Sequence, residues 1–196
     1  MGSGRWNLPT PNASLIHARA WFTSTLGRIY LRIFRWRIEG SFPTEPKCVA
    51  VIAPHSSNWD FFLGLALKWG TRLRVSWLGK HTLFRAPLSG LFRRMGGIPV
   101  NRSSPQGVVG DCVRAFQQAP AMMLALAPEG TRKAGRVWRS GFYQIALGAQ
   151  VPILPVAFDY GRRVITFFPV LQPTGDYRAD LSRLLALFRD VRPRNP

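Results

Sequence analysis

The sequence predicts an α/β fold, and three observations point to it. The chain has 196 residues, which is the size of one domain. Hydrophobic residues make up 46% of it, enough to build a core without disulfide bonds. Beyond residue 47, short apolar runs of strand length alternate with amphipathic segments of helical length, and this alternation is typical of layered α/β domains.

The predicted elements follow from that alternation. Strands are expected at 48–53, 74–78, 98–100, 122–126, 153–158 and 164–168. Helices are expected at 15–38, 59–69, 86–95, 106–118 and 140–148, with a last helix that begins at Asp176 or Tyr177. Because Pro152 and Pro155 accompany the strand at 153–158, this strand is placed at a sheet edge or beside a bulge.

The basic residues are the dominant compositional feature. The chain carries 27 Lys and Arg against 9 Asp and Glu, a formal charge of +18, and only four of the basic residues are lysine. Such an excess favours an anionic partner, whether phosphate groups, nucleic acid or an anionic membrane. We find no zinc-finger, RNA-recognition or helix-turn-helix signature, so nucleic acid is not expected as a partner.

Residues 1–40 form a predicted segment separate from the domain at 41–196. In this segment Phe22, Leu26 and Ile29 recur at helical spacing, and Arg28 and Arg32 follow another face. A basic amphipathic helix of this kind is typical of a membrane interface. The alternatives are an organellar transit peptide, a core-packing helix with a solvated arginine face, and a nucleic-acid-binding helix.

The sequence also argues against a disulfide-stabilised fold, a zinc site and a membrane-spanning helix. The two cysteines cannot form a disulfide framework. The three histidines and two cysteines lack zinc-ligand spacing. No apolar stretch reaches the roughly 18 residues that a membrane-spanning helix needs.

The first motif with chemical potential follows the apolar strand at 48–53. His55 comes directly after this strand, and Asp60 lies five residues further, in the first turn of the next predicted helix. Along one continuous helix the two side chains would diverge by about 140°, but a strand-to-helix turn lets Asp60 fold back onto the imidazole. A carboxylate on one nitrogen fixes the tautomer and leaves the other nitrogen to accept a proton. Ser56 and Ser57 are interpreted as helix caps. The alternative is a structural histidine beside a helix N-terminus.

The second motif follows the apolar strand at 122–126. Gly130 permits an unusual turn, Thr131 supplies a hydroxyl and Arg132 a guanidinium, so the loop can hold a phosphate. Glu129 is an acid among bases, which could orient Arg132 or contact a substrate hydroxyl. Such side chains are expected at the edge where parallel strands end. An ordinary polar turn is the alternative.

Two further blocks are weaker. The stretch 96–102 combines two glycines, a short strand and Arg102, which could contact a second phosphate or be a solvated arginine. The stretch 151–156 is apolar and carries no chemistry by itself.

In order and spacing, these four blocks resemble the motifs of the glycerolipid acyltransferase superfamily, whose best-known members are 1-acyl-glycerol-3-phosphate acyltransferases. The family's H-x4-D motif is similar to His55–Asp60, and its F-P-E-G-T-R-S motif to 127–133. Its G-x-I-x-x-x-R block is similar to 96–102, and its V-P-I-x-P-V block to 151–156. The resemblance implies a mixed α/β acyltransferase fold with a central, mostly parallel sheet.

The resemblance also implies the roles of these residues. His55 is then the base and Asp60 its partner, and the acceptor's phosphate side is bound by Glu129, Gly130, Thr131, Arg132 and Arg102. Lys80 is a further substrate-binding candidate, in a stretch that departs from the family's Lys-x-Glu-Leu. The donor is expected to be acyl-CoA or acyl-carrier protein, with no metal or other cofactor. We expect the enzyme at the cytoplasmic face of a membrane, bound to anionic lipid without a spanning helix.

The chain departs from the family motifs at several positions. Pro54 replaces an asparagine that often precedes the histidine, Ala127 replaces phenylalanine, Lys133 replaces serine, and Asn101 stands where an acid is frequent. The acceptor is therefore left open: lysophosphatidic acid by default, another lysolipid, or a different hydroxyl compound. The competing functions are a non-enzymatic basic module that binds anionic membranes or nucleic acid, and a hydrolase that uses the same base on water.

Overall fold

The computed structural model describes residues 13–16, 21–100, 105–130 and 137–195. The helices are α1 (Trp21–Ile33), α2 (Trp59–Thr71), α3 (Ser89–Arg94), α4 (Pro105–Gln118), α5 (Gly141–Ala149) and α6 (Tyr177–Leu187). The strands are β1 (Arg37–Gly40), β2 (Lys47–Ala53), β3 (Val75–Lys80), β4 (Gly97–Val100), β5 (Met122–Leu126), β6 (Ile153–Asp159) and β7 (Val164–Phe167). Short 3-10 helices lie at Ala13–Leu15 and His81–Phe84.

The described strands form one seven-stranded sheet in the order β1-β7-β6-β2-β5-β3-β4. All neighbouring strands run parallel except β6 and β7, which are antiparallel. This confirms the predicted mixed α/β fold with a mostly parallel sheet. Because β6, β2, β5, β3 and β4 point the same way, the loops that follow them meet at one edge, which we call the carboxyl edge.

Helices cover both faces of the sheet. On one face, α1 and α2 pack on strand residues such as Ala50, Met123 and Leu154. On the other face, α4, α5 and α6 pack on residues such as Val49, Leu124 and Ile153. Strand side chains alternate between the two faces, so these strands are buried on both sides and read as continuous apolar runs.

The predicted helix at 15–38 is shorter in the structure. The helix α1 ends at Ile33, where Arg35 adopts a left-handed conformation (φ 55°) and the Trp36 N–H donates to the Leu31 carbonyl at 2.8 Å. Arg37 and Ile38 belong instead to β1, an edge strand of the sheet. The sequence missed β1 because it is only four residues long and largely exposed. Residues 17–20 of the prediction lie outside the described residues.

The helices α1 and α2 are in very close contact. A Cβ added at Gly27 would lie 2.4 Å from the Gly70 backbone nitrogen, so only glycine fits there. The Arg28 side chain donates to the Gly70 carbonyl at 3.1 Å. One face of α1 is thereby held on α2, while Phe22 and Ile33 on the opposite face stay exposed.

The prediction that β6 is an edge strand is wrong, because β6 lies between β2 and β7 in the sheet interior. The bulge alternative agrees with the pairing. Val156 pairs with Phe167, and Ile153 pairs with Leu171, so two residues of β6 lie opposite three residues of the facing segment. Pro155 lies at this irregularity, where the ladder does not require its missing N–H.

Candidate active site

His55 and Asp60 face each other at the carboxyl edge. The strand β2 ends at Ala53, and α2 begins at Trp59, so the two residues sit on either side of a sharp turn. The His55 Nδ1 lies 2.9 Å from Asp60 Oδ2, which is the contact that their spacing predicts. The imidazole is 23% exposed, and its Nε2 has no hydrogen-bond partner among the described residues. One ring nitrogen is therefore fixed, and the other is left to meet a substrate.

Asp60 is buried and fully partnered. It is 4% exposed, and its Oδ2 also accepts from the backbone N–H groups of Ser56 and Ser57, both at 3.0 Å. Its Oδ1 accepts from the Tyr160 hydroxyl at 2.6 Å. Burial by itself raises the pKa of Asp60, but the hydrogen bonds from His55, Tyr160 and Ser57 outweigh it, so the pKa is lowered from its ordinary value. Asp60 is thus held as a carboxylate against the imidazole.

Glu129 is a second buried carboxyl group beside His55. It is 8% exposed, and its Oε1 accepts from the His55 backbone N–H at 3.2 Å. Its Oε2 is buried and has no hydrogen-bond partner among the residues that the structure describes. Burial raises the pKa of Glu129, with partial compensation from the N–H of His55. A buried acceptor without a donor is costly, so Glu129 offers an oxygen that a bound hydroxyl could satisfy.

The other candidate residues are placed to different extents. Gly130 follows Glu129 with a left-handed backbone (φ 64°), as expected for the predicted turn. Thr131, Arg132 and Arg102 lie outside the described residues. Lys80 ends β3 at the carboxyl edge, but its side chain is not among the described parts of the chain.

The two serines have different roles. The Ser57 hydroxyl accepts from the Trp59 N–H at 3.2 Å at the start of α2, but the N-cap residue of this helix is Asn58, whose side chain makes no cap hydrogen bond. The Ser56 hydroxyl instead accepts from the Asn195 N–H at 3.1 Å, so the prediction of a cap was wrong for Ser56. The reason is that Asn195 lies beside this turn. A contact so distant along the chain cannot be predicted from the sequence pattern near residue 56.

Tyr160 is a site residue that sequence reasoning missed. It follows β6, the neighbour of β2, and reaches Asp60 across 100 positions of sequence. Burial, followed by the Asp60 carboxylate, raises the pKa of its hydroxyl. Tyr160 therefore stays protonated as a hydrogen-bond donor. Only the strand order could have indicated it.

A model of the Acyltransferase family matches residues 35–159 of the sequence. The chain belongs to this family. The match contains β2, β5 and β6 together with His55, Asp60 and Glu129. It confirms the superfamily that the four motifs indicate.

The comparison with solved structures agrees with this assignment. The fold is similar to that of the 1-acyl-sn-glycerophosphate (LPA) acyltransferase PlsC from Thermotoga maritima, with a TM-score of 0.60 and 15% sequence identity. The similarity covers 89% of this chain and 81% of PlsC, and it shows a common fold. No curated protein matches the chain significantly in sequence.

The arrangement pairs an imidazole with a carboxylate, which is the chemistry a general base needs. The described residues contain no cluster of His, Cys, Asp or Glu that could hold a metal ion. No described helix is long and apolar enough to cross a bilayer. What the site does supply is an imidazole oriented by the buried Asp60 carboxylate, and a second buried carboxyl group on the His55 backbone N–H, one oxygen of which contacts no donor among the described residues.

Proposed function

We propose that this acyltransferase transfers a fatty acyl group from a thioester, acyl-CoA or acyl-carrier protein, to the hydroxyl of a lysophospholipid-type acceptor. Lysophosphatidic acid is the default acceptor, in line with the motifs and with the fold similarity to PlsC. The observation that carries the proposal is the His55–Asp60 contact at 2.9 Å, which engages Nδ1, while Nε2 has no partner in the described part of the chain and the ring is partly exposed.

In the proposed reaction, His55 Nε2 removes the proton from the acceptor hydroxyl as the oxygen attacks the thioester carbonyl. The new ester C–O bond forms, the C–S bond breaks, and the imidazolium returns its proton to the leaving thiolate. Asp60 stays ionised throughout and stabilises the imidazolium. Neither a metal nor an acyl-enzyme intermediate is needed for these atoms and charges to balance.

Base catalysis and positioning share the rate enhancement. A positioned general base contributes about 10²–10⁴-fold. Holding two reactants side by side can correspond to effective concentrations of about 10⁵–10⁸ M in the best intramolecular cases. The Glu129 Oε2 supports such positioning, since it is a buried acceptor beside His55 that a substrate hydroxyl would satisfy. The motif residues Thr131, Arg132, Arg102 and Lys80 are proposed to bind the phosphate of the acceptor.

Membrane association is the second part of the proposal. Exposed apolar side chains line one face of α1, with spacings of four, three and four residues, and the start of α2 adds three aromatic rings. These side chains are Phe22, Leu26, Ile29, Ile33, Trp59, Phe61 and Phe62. An apolar helix face beside arginines is typical of interfacial binding to anionic lipid. We propose that this surface rests on the cytoplasmic face of a membrane, where lysolipids are reached from the lipid layer.

The test is thiol release from labelled acyl-CoA or acyl-carrier protein by the purified full-length protein, with a panel of lysolipid acceptors. We expect release that depends on an acceptor, and formation of the labelled diacyl product. His55→Ala should reduce the rate by at least about 10²-fold. His81→Ala is the matched control, since among the described contacts of Asp60 the histidine is His55 and not His81, and it should keep most of the activity.

Two outcomes contradict the proposal. Near-normal turnover by a folded His55→Ala protein would reject His55 as the base. Equal thiol release without any acceptor would identify a hydrolase.

A further inference from the structure

The segment 192–195 passes along the carboxyl edge beside the His55 turn. The Arg192 carbonyl accepts from the Tyr160 N–H at 3.0 Å. Asn195 donates twice to Ser56, from its backbone N–H to Oγ and from Nδ2 to the carbonyl, both at 3.1 Å. These bonds fix the segment on both sides of Arg194.

Arg194 is held against two aromatic rings. Its guanidinium carbon lies 4.9 Å from the centre of the Trp59 ring and 5.7 Å from the centre of the Tyr160 ring. Both rings adjoin Asp60, since Trp59 directly precedes it and Tyr160 donates to it. The guanidinium is thereby positioned close to the catalytic pair before any substrate binds.

The rings occupy the face of this guanidinium and leave its N–H edge unused. Arg194 is exposed, and it takes part in no hydrogen bond or ion pair within the described part of the chain. A stacked guanidinium loses little further freedom when it binds, and its planar N–H fork matches the oxygens of a phosphate. Such an arrangement favours an oxyanion ligand.

The position of Arg194 differs from that of Glu129. In the sheet, β2 lies between β6 and β5. Glu129 follows β5, and the backbone of Lys80 ends β3 beyond it, so these two positions lie on the β5 side of His55. Tyr160 follows β6, so Arg194 approaches His55 from the opposite side. A two-substrate reaction needs both substrates to be held beside the base, and Arg194 offers a contact on the side away from Glu129.

We propose that Arg194 binds a phosphate group of a substrate on the β6 side of His55. This inference rests on the proposed acyl transfer, because that reaction supplies the phosphate-bearing substrates. Two substrates carry such a group: lysophosphatidic acid has a phosphomonoester, and the donor has the phosphate that ends its pantetheine arm (a diphosphate in acyl-CoA, a phosphodiester in acyl-carrier protein). The experiment distinguishes the phosphate of the acceptor from that of the donor.

The experiment measures KM and kcat for Arg194→Ala, Arg194→Lys and the control Arg189→Ala, an exposed arginine outside the site. The acceptors are lysophosphatidic acid and a monoacylglycerol of equal chain length. The donors are acyl-CoA and the phosphate-free acyl-N-acetylcysteamine. Arg194→Ala should raise KM about 10–100-fold for the substrate whose phosphate it binds, and should leave KM for the phosphate-free counterpart unchanged. Arg194→Lys should fall between, because it keeps the charge but loses the planar fork.

A second measurement keeps this inference separate from the proposed function. Binding of lysophosphatidic acid and of CoA is measured by calorimetry in His55→Ala, with and without Arg194→Ala. If the wild-type protein transfers no acyl group, the proposed function fails, yet weaker phosphate binding without Arg194 still supports its role. Equal binding of both probes in the two proteins would overturn the role of Arg194. So would equal KM changes for phosphate-bearing and phosphate-free substrates.

Discussion

Two buried aspartates in this molecule, Asp60 and Asp180, have similar hydrogen-bond partners but different surroundings. Asp60 accepts a tyrosine hydroxyl, two backbone N–H groups and an imidazole nitrogen. Asp180 accepts the Tyr143 hydroxyl at 2.9 Å and both the N–H and the hydroxyl of Thr174, at 2.7 and 2.9 Å. Hydrogen bonds outweigh burial in both, so the pKa of each carboxyl is lowered.

The difference lies in the last partner. Asp180 is 0% exposed, and its remaining oxygen accepts from the Arg183 guanidinium, which can only donate. Asp60 is completed by His55, whose ring is 23% exposed and has a second nitrogen that can accept a hydrogen bond. A buried carboxylate therefore fixes a helix and a loop at one place, and at the other it orients the imidazole that we propose as the base. The two places differ in that the partner of Asp60 is an imidazole at a partly exposed edge.

The largest effect that tests this comparison is expected from Asp60→Asn. An amide cannot hold the imidazole tautomer or stabilise the imidazolium, and an equivalent change in hydrolase triads costs about 10⁴-fold in kcat. We expect a loss of 10²–10⁴-fold in acyl transfer, measured as acceptor-dependent thiol release by protein that is shown to be folded. Asp180→Asn is the matched change and should lower stability while the folded fraction keeps its specific activity. Equal losses of specific activity in both variants would contradict the distinction.

The sequence predicted the site residues that lie close together along the chain, and it missed those that are distant along the chain. His55 and Asp60 were found because one strand, one turn and one helix that follow each other between residues 47 and 71 decide their geometry. Tyr160 and Asn195 contact the same turn across 100 and 139 residues, and their contacts depend on strand order, which the apolar pattern does not contain. For the same reason, the pattern showed the prolines of β6 but not its place inside the sheet.

The pH dependence of the unfolding free energy provides a second test of the two aspartates, with a smaller expected effect. A carboxyl group with a lowered pKa in the fold stabilises it above its unfolded pKa of about 3.9, and this stabilisation is lost as the pH falls through the folded pKa. Wild-type unfolding free energy should therefore fall steeply below about pH 4. Asp180→Asn should be less stable at pH 7, and its curve should be flatter in that acid range. A parallel curve, measured by denaturant unfolding between pH 2.5 and 7, would contradict the assigned pKa of Asp180.

Glu129→Gln should reduce activity less than Asp60→Asn does. Its effect on stability at pH 7 should be opposite in sign to that of Asp180→Asn. Because burial raises the pKa of Glu129, the folded state binds its proton more tightly, and stability falls as the pH rises through that pKa. Replacing the acid by an amide removes this fall, so unfolding free energy at pH 7 should be unchanged or higher. The amide oxygen must stay on the His55 N–H, which leaves an NH2 group where Oε2 was. We expect about a 10-fold loss in kcat/KM for the acceptor; unchanged kinetics would exclude contact of Oε2 with substrate.

The smallest expected effect comes from Tyr160→Phe. It compares the loss of a tyrosine hydrogen bond at Asp60 with the same loss at Asp180. This change removes one donor from Asp60 and leaves its three other hydrogen bonds in place. We expect kcat to fall about 3–10-fold with little change in KM, since a single hydrogen bond to a charged group contributes about 1.5–3 kcal/mol and part of it is replaced by water. Tyr143→Phe removes the corresponding donor from Asp180 and should lower the unfolding free energy without changing kcat. If Tyr160→Phe also left kcat unchanged and reduced only stability, then the tyrosine at Asp60 would be as purely structural as the one at Asp180. The orientation of His55 would in that case rest on the turn 54–58 alone.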